Sequence, residues 1–159
     1  MKNLTSGSLA ILLCLFFTGT LFNFSEAQDW NEIIKRRASD PQDYDYYGRA
    51  ISISGNYAIV GASQEDEDSE EGNYMYNAGS AYILYKDEGG TNEWAEVKKL
   101  VASDRYDGDR FGFSVSISGN YAIVGAVYED EDTAGLNKFN SAGSAYIFYK
   151  DKDGPDNWG

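Results

Sequence analysis

Three groups of side chains in this sequence have the types and spacing to do chemistry. The first is an acidic run, Glu65-Asp66-Glu67-Asp68, which returns as Glu129-Asp130-Glu131-Asp132. Glu65, Asp66, Asp68, Glu129, Asp130 and Asp132 are candidate Ca²⁺ ligands, because that ion takes about six to eight oxygens and carboxylates on one loop can supply several. The competing reading is a solvated loop that keeps an acidic protein soluble. The second group is Asp104, Asp107 and Asp109 with their counterparts Asp40, Asp43 and Asp45. Asp107 and Asp109 are the right types for an acid and base in glycoside hydrolysis, but nothing in the sequence sets their separation. Asp45 and Asp109 equally suit capping a turn. The third group is aromatic. Trp94 and Trp158 are candidates for stacking on sugar rings, and Tyr44, Tyr46, Tyr47, Tyr74, Tyr76 and Tyr128 stand in or beside loops, where tyrosine gives rigid amphipathic contact area.

The composition narrows the chemistry further. The 159 residues hold 13 Lys and Arg against 26 Asp and Glu, with no His, for a net charge of −13. Without His there is no imidazole base and no His-ligated zinc. The acidic balance argues against a nucleic-acid partner and against docking on an anionic membrane. No glycine-rich phosphate loop precedes a helix, and no Ser or Cys nucleophile is paired with a base. The expectation is a protein that is not an enzyme and requires no cofactor. Aromatic residues make up 15% of the chain, which is too many for a disordered acidic tail.

The first 27 residues read as a secretory signal peptide, with Lys2 ahead of the apolar run 9–17 and Ser25-Glu26-Ala27 offering a cleavage site before Gln28. A membrane anchor is the alternative, but the apolar run is short of the roughly 20 residues needed to span a bilayer. A lipoprotein signal would use Cys14, behind the bulky Leu13. Residues 28–159 contain no Cys, so the expectation is a secreted or cell-surface (outer-envelope) protein that does without disulfides and has no transmembrane segment after signal cleavage.

The elements that must position these groups come from an internal repeat. Residues 38–95 align without a gap on 102–159, and 33 of the 58 pairs are identical, which identifies a true tandem unit. The period is 64 residues, from Trp94 to Trp158, and Trp30 lies one further period upstream. Within a unit, alternating Ile and small residues (48–54), a Gly55-Asn56 turn and the apolar run 57–62 predict a hairpin. The pattern continues through an acidic loop to strands at 79–86 and 94–101, and in the second unit to strands at 111–118, 121–126 and 143–150. The expected core is Ile51, Ile53, Ile59, Val60, Ile83, Val115, Ile117, Ile123, Val124 and Ile147. Four antiparallel strands per unit, repeated, predict an all-β fold of β-propeller blades, with a β-sandwich as the alternative.

The run Asp109-Arg110-Phe111-Gly112-Phe113-Ser114-Val115-Ser116-Ile117-Ser118-Gly119, followed by Ala122-Ile123-Val124-Gly125-Ala126, resembles an FG-GAP repeat. Such repeats build the propellers of integrin α-subunits and of many bacterial surface proteins. Phe111-Gly112 becomes Tyr47-Gly48 in the first unit, and Gly61-Ala62-Ser63 and Gly125-Ala126-Val127 lack the proline of the family pattern. The integrin-type calcium loop would lie between the first two strands of a blade, where this chain has only Ser54-Gly55-Asn56 and Ser118-Gly119-Asn120. The resemblance implies a noncatalytic module for adhesion or protein–protein interaction, its partner an extracellular protein. A carbohydrate-binding, lectin-like propeller with glycan sites at blade interfaces is the alternative. Residues 28–37 are expected as the last strand of a preceding or closing blade, 38–101 as the first repeat and 102–159 as the second, truncated one. Two units cannot close a ring, so the expectation is a fragment of a larger propeller, or else several chains assembling into one.

Overall fold

The computed structural model describes residues 31–68, 73–88, 90–131, 138–152, 154 and 157–159. The expected signal peptide, Trp30 and Asp132 lie outside them. The described residues form seven strands and no helix: β1 (Ala50–Ser54), β2 (Tyr57–Ala62), β3 (Ser80–Lys86), β4 (Trp94–Leu100), β5 (Phe111–Ser118), β6 (Tyr121–Ala126) and β7 (Ser144–Tyr149). Every expected strand from 48 onward is present, with ends within two residues of the sequence reading.

The strands build two antiparallel meanders, β1-β2-β3-β4 and β5-β6-β7. Each opens with a hairpin closed by Gly-Asn, in which Ser54 pairs with Tyr57 and Ser118 with Tyr121. Gly55 and Gly119 take φ of 58° and 56° at the first turn position, a conformation that a side chain would strain. Between β4 and β5 the chain crosses to the second sheet, where Gly79 and Phe111 form a parallel bridge. Beside β7, Gly159 exchanges two backbone hydrogen bonds with Tyr149, at 2.9 and 3.3 Å.

The register sorts the side chains onto faces. One face of the first sheet carries Ile51, Val60 and Tyr82 in one row and Ile53, Ala58 and Leu84 in the next; the other carries Ser52, Ile59 and Ile83. In the second sheet, Val115, Val124 and Tyr146 share a row, while Ser116, Ile123 and Ile147 lie on the reverse. The main core forms where the Ile59–Ile83 face of the first sheet meets the Val115–Val124 face of the second. It joins Ile59, Ile83 and Leu100 to Phe111, Ile117, Val124 and Trp158. Two side chains stitch this seam, Ser52 Oγ accepting the Ile117 amide (3.2 Å) and Ser54 Oγ accepting that of Gly119 (3.3 Å). A smaller cluster of Ala38, Ala62, Tyr82 and Leu84 lies on the far side of the first sheet.

Of the ten expected core residues four are exposed, while Val60 and Val115 are half-buried. Ile51, Ile53, Ile123 and Ile147 are exposed, Ile53 at 66% and Ile147 at 69%. Their strands are as expected, but Ile51 and Ile53 lie on the outer face of the first sheet and Ile123 and Ile147 on the outer face of the second. The small cluster with Ala38, Tyr47 and Trp94 covers these rows of the first sheet at Tyr82 and Leu84 but leaves Ile51 and Ile53 open, and Ile123 and Ile147 are open as well. Residues 32–37, within the segment 28–37 expected as the last strand of a preceding or closing blade, are paired with no strand among the described residues. A strand needs a sheet edge, and this segment instead leads along the first sheet, where Arg36 pairs with Glu93 and Ser39 donates its hydroxyl to Glu96.

The glycines inside the strands have a packing cause. A Cβ on Gly61 would overlap the carbonyl oxygen of Gly112, so backbone meets backbone between the sheets. At its counterpart Gly125 the obstacle is only the Ser114 hydroxyl of the same sheet.

Candidate functional site

The candidate acids and the loop tyrosines gather along one edge of the two sheets, where the β2–β3 and β6–β7 loops meet the turns that precede β1 and β5; Trp94 and Trp158 lie at the opposite end, beside Lys86 and Tyr57. The turns are built by the aspartates expected to cap them. Asp45 accepts the Gln42 amide at 2.6 Å and Asp109 accepts the Tyr106 amide at 2.7 Å. The β2–β3 loop is tied to the first turn by the Gln64 amide donating to the Asp45 carbonyl, and the β6–β7 loop to the second by Tyr128 donating to Asp109.

At the corner of the first sheet lies a buried ionic cluster. Lys99 on β4 reaches Asp40 at 2.6 Å and Glu65 at 3.0 Å, and Arg105 approaches Glu65 at 3.6 Å. Ser80 and Tyr82 donate their hydroxyls to Glu65 and Asp40 respectively. Burial works against ionising Asp40, but the Lys99 hydrogen bond and charge and the Tyr82 hydroxyl outweigh it and hold the carboxyl below its ordinary value. For Glu65 burial wins, and its carboxyl is pushed up. Tyr47 packs edge-on to Tyr82 and burial raises its hydroxyl to about 12, so it belongs to this packing and not to an open binding surface.

The second sheet repeats the corner with one difference. Tyr146 donates to Asp104 at 2.7 Å and Ser144 to Glu129, as Tyr82 and Ser80 do in the first. Among the described residues no Lys or Arg pairs with Asp104 or Glu129. Burial, then the charges of Glu129, Asp104 and Asp130, push the Asp109 carboxyl up to about 6.

Five of the six candidate calcium ligands, all but Asp132, lie among the described residues, and each is engaged by donors within the protein. Glu65 and Glu129 point inward, each also accepting an amide within its own loop, from Glu67 and Glu131. Asp66 accepts the Asn77 amide and Asp130 that of Ser141, fixing the far ends of the loops, while Asp68 is bonded by the Asn73 side chain. Among the described residues no three or more acidic, His or Cys side chains are grouped to hold a metal ion. Sequence reasoning read these acids as one loop-borne set and missed that Glu65 is a buried anchor for Lys99 and Arg105. The signal available was the repeat itself, since Ser80 and Ser144 recur at a constant 15 residues from Glu65 and Glu129.

The tryptophans differ from the sugar-stacking expectation. Trp158 is 1% exposed, in T-shaped contact with Tyr57 at 5.6 Å, so its faces are closed to a ligand. Trp94 is half-buried against the cluster around Tyr82 and Leu84. Open aromatic surface is concentrated on the loop edge, where Tyr44, Tyr46, Tyr74, Tyr76, Tyr106 and Tyr128 are all exposed; Tyr121 and Tyr149 are exposed on the second sheet. Arg110 lies over the Tyr128 ring at 4.9 Å and Lys138 over Tyr106 at 4.8 Å. Tyr44 and Tyr46 hold left-handed backbone, with φ of 73° and 55°, whereas Gly108 stands at the position matching Tyr44.

Antiparallel meanders of four and three strands, repeated in tandem and packed face to face, are the architecture of β-propeller-type blades. The FG-GAP repeat family matches this chain over residues 30–85 and 94–148. The protein belongs to that family of repeats. No curated protein matches it. Among the described residues no helix is long and apolar enough to cross a membrane.

Proposed function

We propose that this protein is exported and acts as a noncatalytic propeller-type module that binds another extracellular protein through its tyrosine-rich loop edge. The observation that carries this reading is the set of exposed tyrosines on loops held by a rigid two-sheet scaffold. Tyrosine offers large contact area with few rotors to freeze, the property that enriches it in binding surfaces. Left-handed backbone at a non-glycine residue costs about 1–2 kcal/mol, and strain of this kind kept at an exposed position points to use. The net charge of −13 favours a partner with a basic surface, and association that slows with added salt. The carboxylates of the loops are engaged with amides, hydroxyls and Lys99, which supports a structural role and a module that works without a cofactor. Sugar stacking requires an open aromatic face, which Trp158 does not offer.

The test is surface plasmon resonance of the purified protein against immobilised extracellular proteins, basic and acidic, beside a glycan array. Binding to a basic protein that weakens at least tenfold in a Tyr44→Ser, Tyr74→Ser, Tyr76→Ser, Tyr128→Ser variant with unchanged circular dichroism supports the reading. Glycan binding that survives those substitutions sinks it.

A further inference from the structure

We propose that the corner of the first sheet is a self-modifying site, in which the Lys99 amine and the Asp40 carboxyl join in an intramolecular isopeptide bond with Glu65 as the proton carrier. The condensation needs an amine, a carboxyl and a second carboxyl to move protons, and all three stand together there. Lys99 Nζ lies 2.6 Å from Asp40 Oδ2 and 3.0 Å from Glu65 Oε1, so the nucleophile touches both other groups. The side chains of Lys99, Asp40 and Glu65 are 8, 6 and 2% exposed, which keeps bulk water away from a reaction that must release water.

Segments remote in sequence hold the three groups. Lys99 on β4 is the cross-strand partner of Tyr82 on β3. The Tyr82 hydroxyl donates to Asp40 Oδ1 at 2.9 Å, the oxygen opposite the one that Lys99 touches. At the start of the β2–β3 loop, Glu65 Oε2 accepts the Ser80 hydroxyl and lies 3.6 Å from Arg105, while Oε1, which faces Lys99, accepts the Glu67 amide. A simple ion pair requires one carboxylate. A second carboxylate on the amine and a hydroxyl donor on the far carboxyl oxygen are the parts of an acyl-transfer centre. Held in contact, the reactants need no encounter step.

The steps balance. Nζ passes one proton to Oδ2 along their hydrogen bond, leaving a neutral amine and a neutral carboxyl. The amine lone pair attacks Cγ, and the carbonyl electron pair moves to Oδ1, where the Tyr82 hydroxyl stabilises the charge. Glu65 takes a second proton from Nζ and gives it to the Oδ2 hydroxyl. The Oδ1 pair then re-forms the carbonyl, the Cγ–Oδ2 bond breaks and water leaves. Of the three protons of the ammonium, two end in water and one on the amide nitrogen; the two charges cancel and nothing is oxidised or reduced. Burial raises the proton affinity of Glu65, as a carrier requires. Burial also works against the ionised Asp40 carboxyl, but Lys99 holds it low. The neutral reactant pair is therefore sparsely populated, and the bond forms slowly, once per chain, with no substrate turned over. Joining residues 59 apart ties the turn that carries Tyr44 and Tyr46 to β4 and shortens the free loop of the unfolded chain, as a disulfide does. Residues 28–159 contain no Cys, so no disulfide can serve there.

Intact-mass spectrometry of the folded full chain, as processed by its host and incubated at neutral pH, tests the proposal. The wild type is expected to be lighter than its sequence by one water molecule. Digestion and tandem mass spectrometry are expected to give a branched peptide that joins Asp40 to Lys99. Lys99→Arg keeps the charge without the nucleophile and is expected to show full mass and no branched peptide. Glu65→Gln is expected to slow formation of the branch at least tenfold, with circular dichroism and a cooperative melt checking that it is folded. The branched peptide of the wild type decides the matter even where a variant does not fold. A folded wild type that stays at full mass overturns the proposal. So does a water loss that maps to a cyclic imide at Asp107-Gly108 with no branch, or a branch that forms at an unchanged rate in folded Glu65→Gln.

Discussion

At the level of single residues, the clearest assignment is Lys99. It holds two buried carboxylates, Asp40 and Glu65, at 2.6 and 3.0 Å. Removing one partner of a buried pair leaves an uncompensated charge, which typically costs about 3–5 kcal/mol. Lys99→Met should lower unfolding free energy by that amount in urea denaturation, and a loss under 1 kcal/mol would mean that water reaches the cluster. Asp109 makes a pH prediction. Its carboxyl is raised to about 6 by burial and by neighbouring acids, so the native state prefers the protonated form. The stability it contributes is complete below the ordinary value of 3.8 and is lost as pH rises through about 6. Asp109→Asn keeps an acceptor for the Tyr106 amide without the charge. Between about pH 4 and 7 the melting temperature of the wild type should fall relative to this variant, and parallel curves would overturn the assignment. Tyr44, at φ 73°, matches Gly108 of the second repeat. Tyr44→Gly should therefore leave stability unchanged or raise it by about 1 kcal/mol in thermal melts, while weakening the proposed protein binding.

At the level of elements, β2 and β6 form a natural experiment. Both read Tyr-Ala-Ile-Val-Gly-Ala, yet Ile59 is 0% exposed and Ile123 is 42% exposed. Ile59→Ala should cost about 2–5 kcal/mol, the range for emptying a packed site. Ile123→Ala should cost about 1 kcal/mol or less in a dilute monomer, since much of its side chain is already in water. Equal losses from the two substitutions in urea titrations would mean that Ile123 is covered. The strands themselves were legible because their signals are local: period-two patterning, β-branched runs and Gly-Asn turns. Residues 31–37 carry the same local pattern as β4 and still form no strand, because strand formation needs an edge to pair with and the sequence does not say where that edge is.

At the level of the whole molecule, a net charge of −13 on a small protein sets up self-repulsion that the exposed ion pairs among the described residues, Arg36–Glu93 and Lys138–Glu131, do little to offset. Raising NaCl from about 10 to 150 mM should then raise the melting temperature, because screening weakens the surface repulsion and leaves the buried Lys99 cluster largely untouched. A fall would show surface ion pairs to dominate. The sequence by itself determined the all-β class, the strand positions, the repeat and the family, since each is written in local pattern or in identity between units. The tertiary structure alone decided which faces are inside. Ile59 and Ile123 have identical neighbours in the chain and differ in what is stacked over them, and Glu65 has Lys99 and Arg105 beside it where Glu129 has no cation among the described residues. Burial and charge pairing depend on partners remote in sequence, and a repeat, by making its units alike, removes the local differences that would have told them apart.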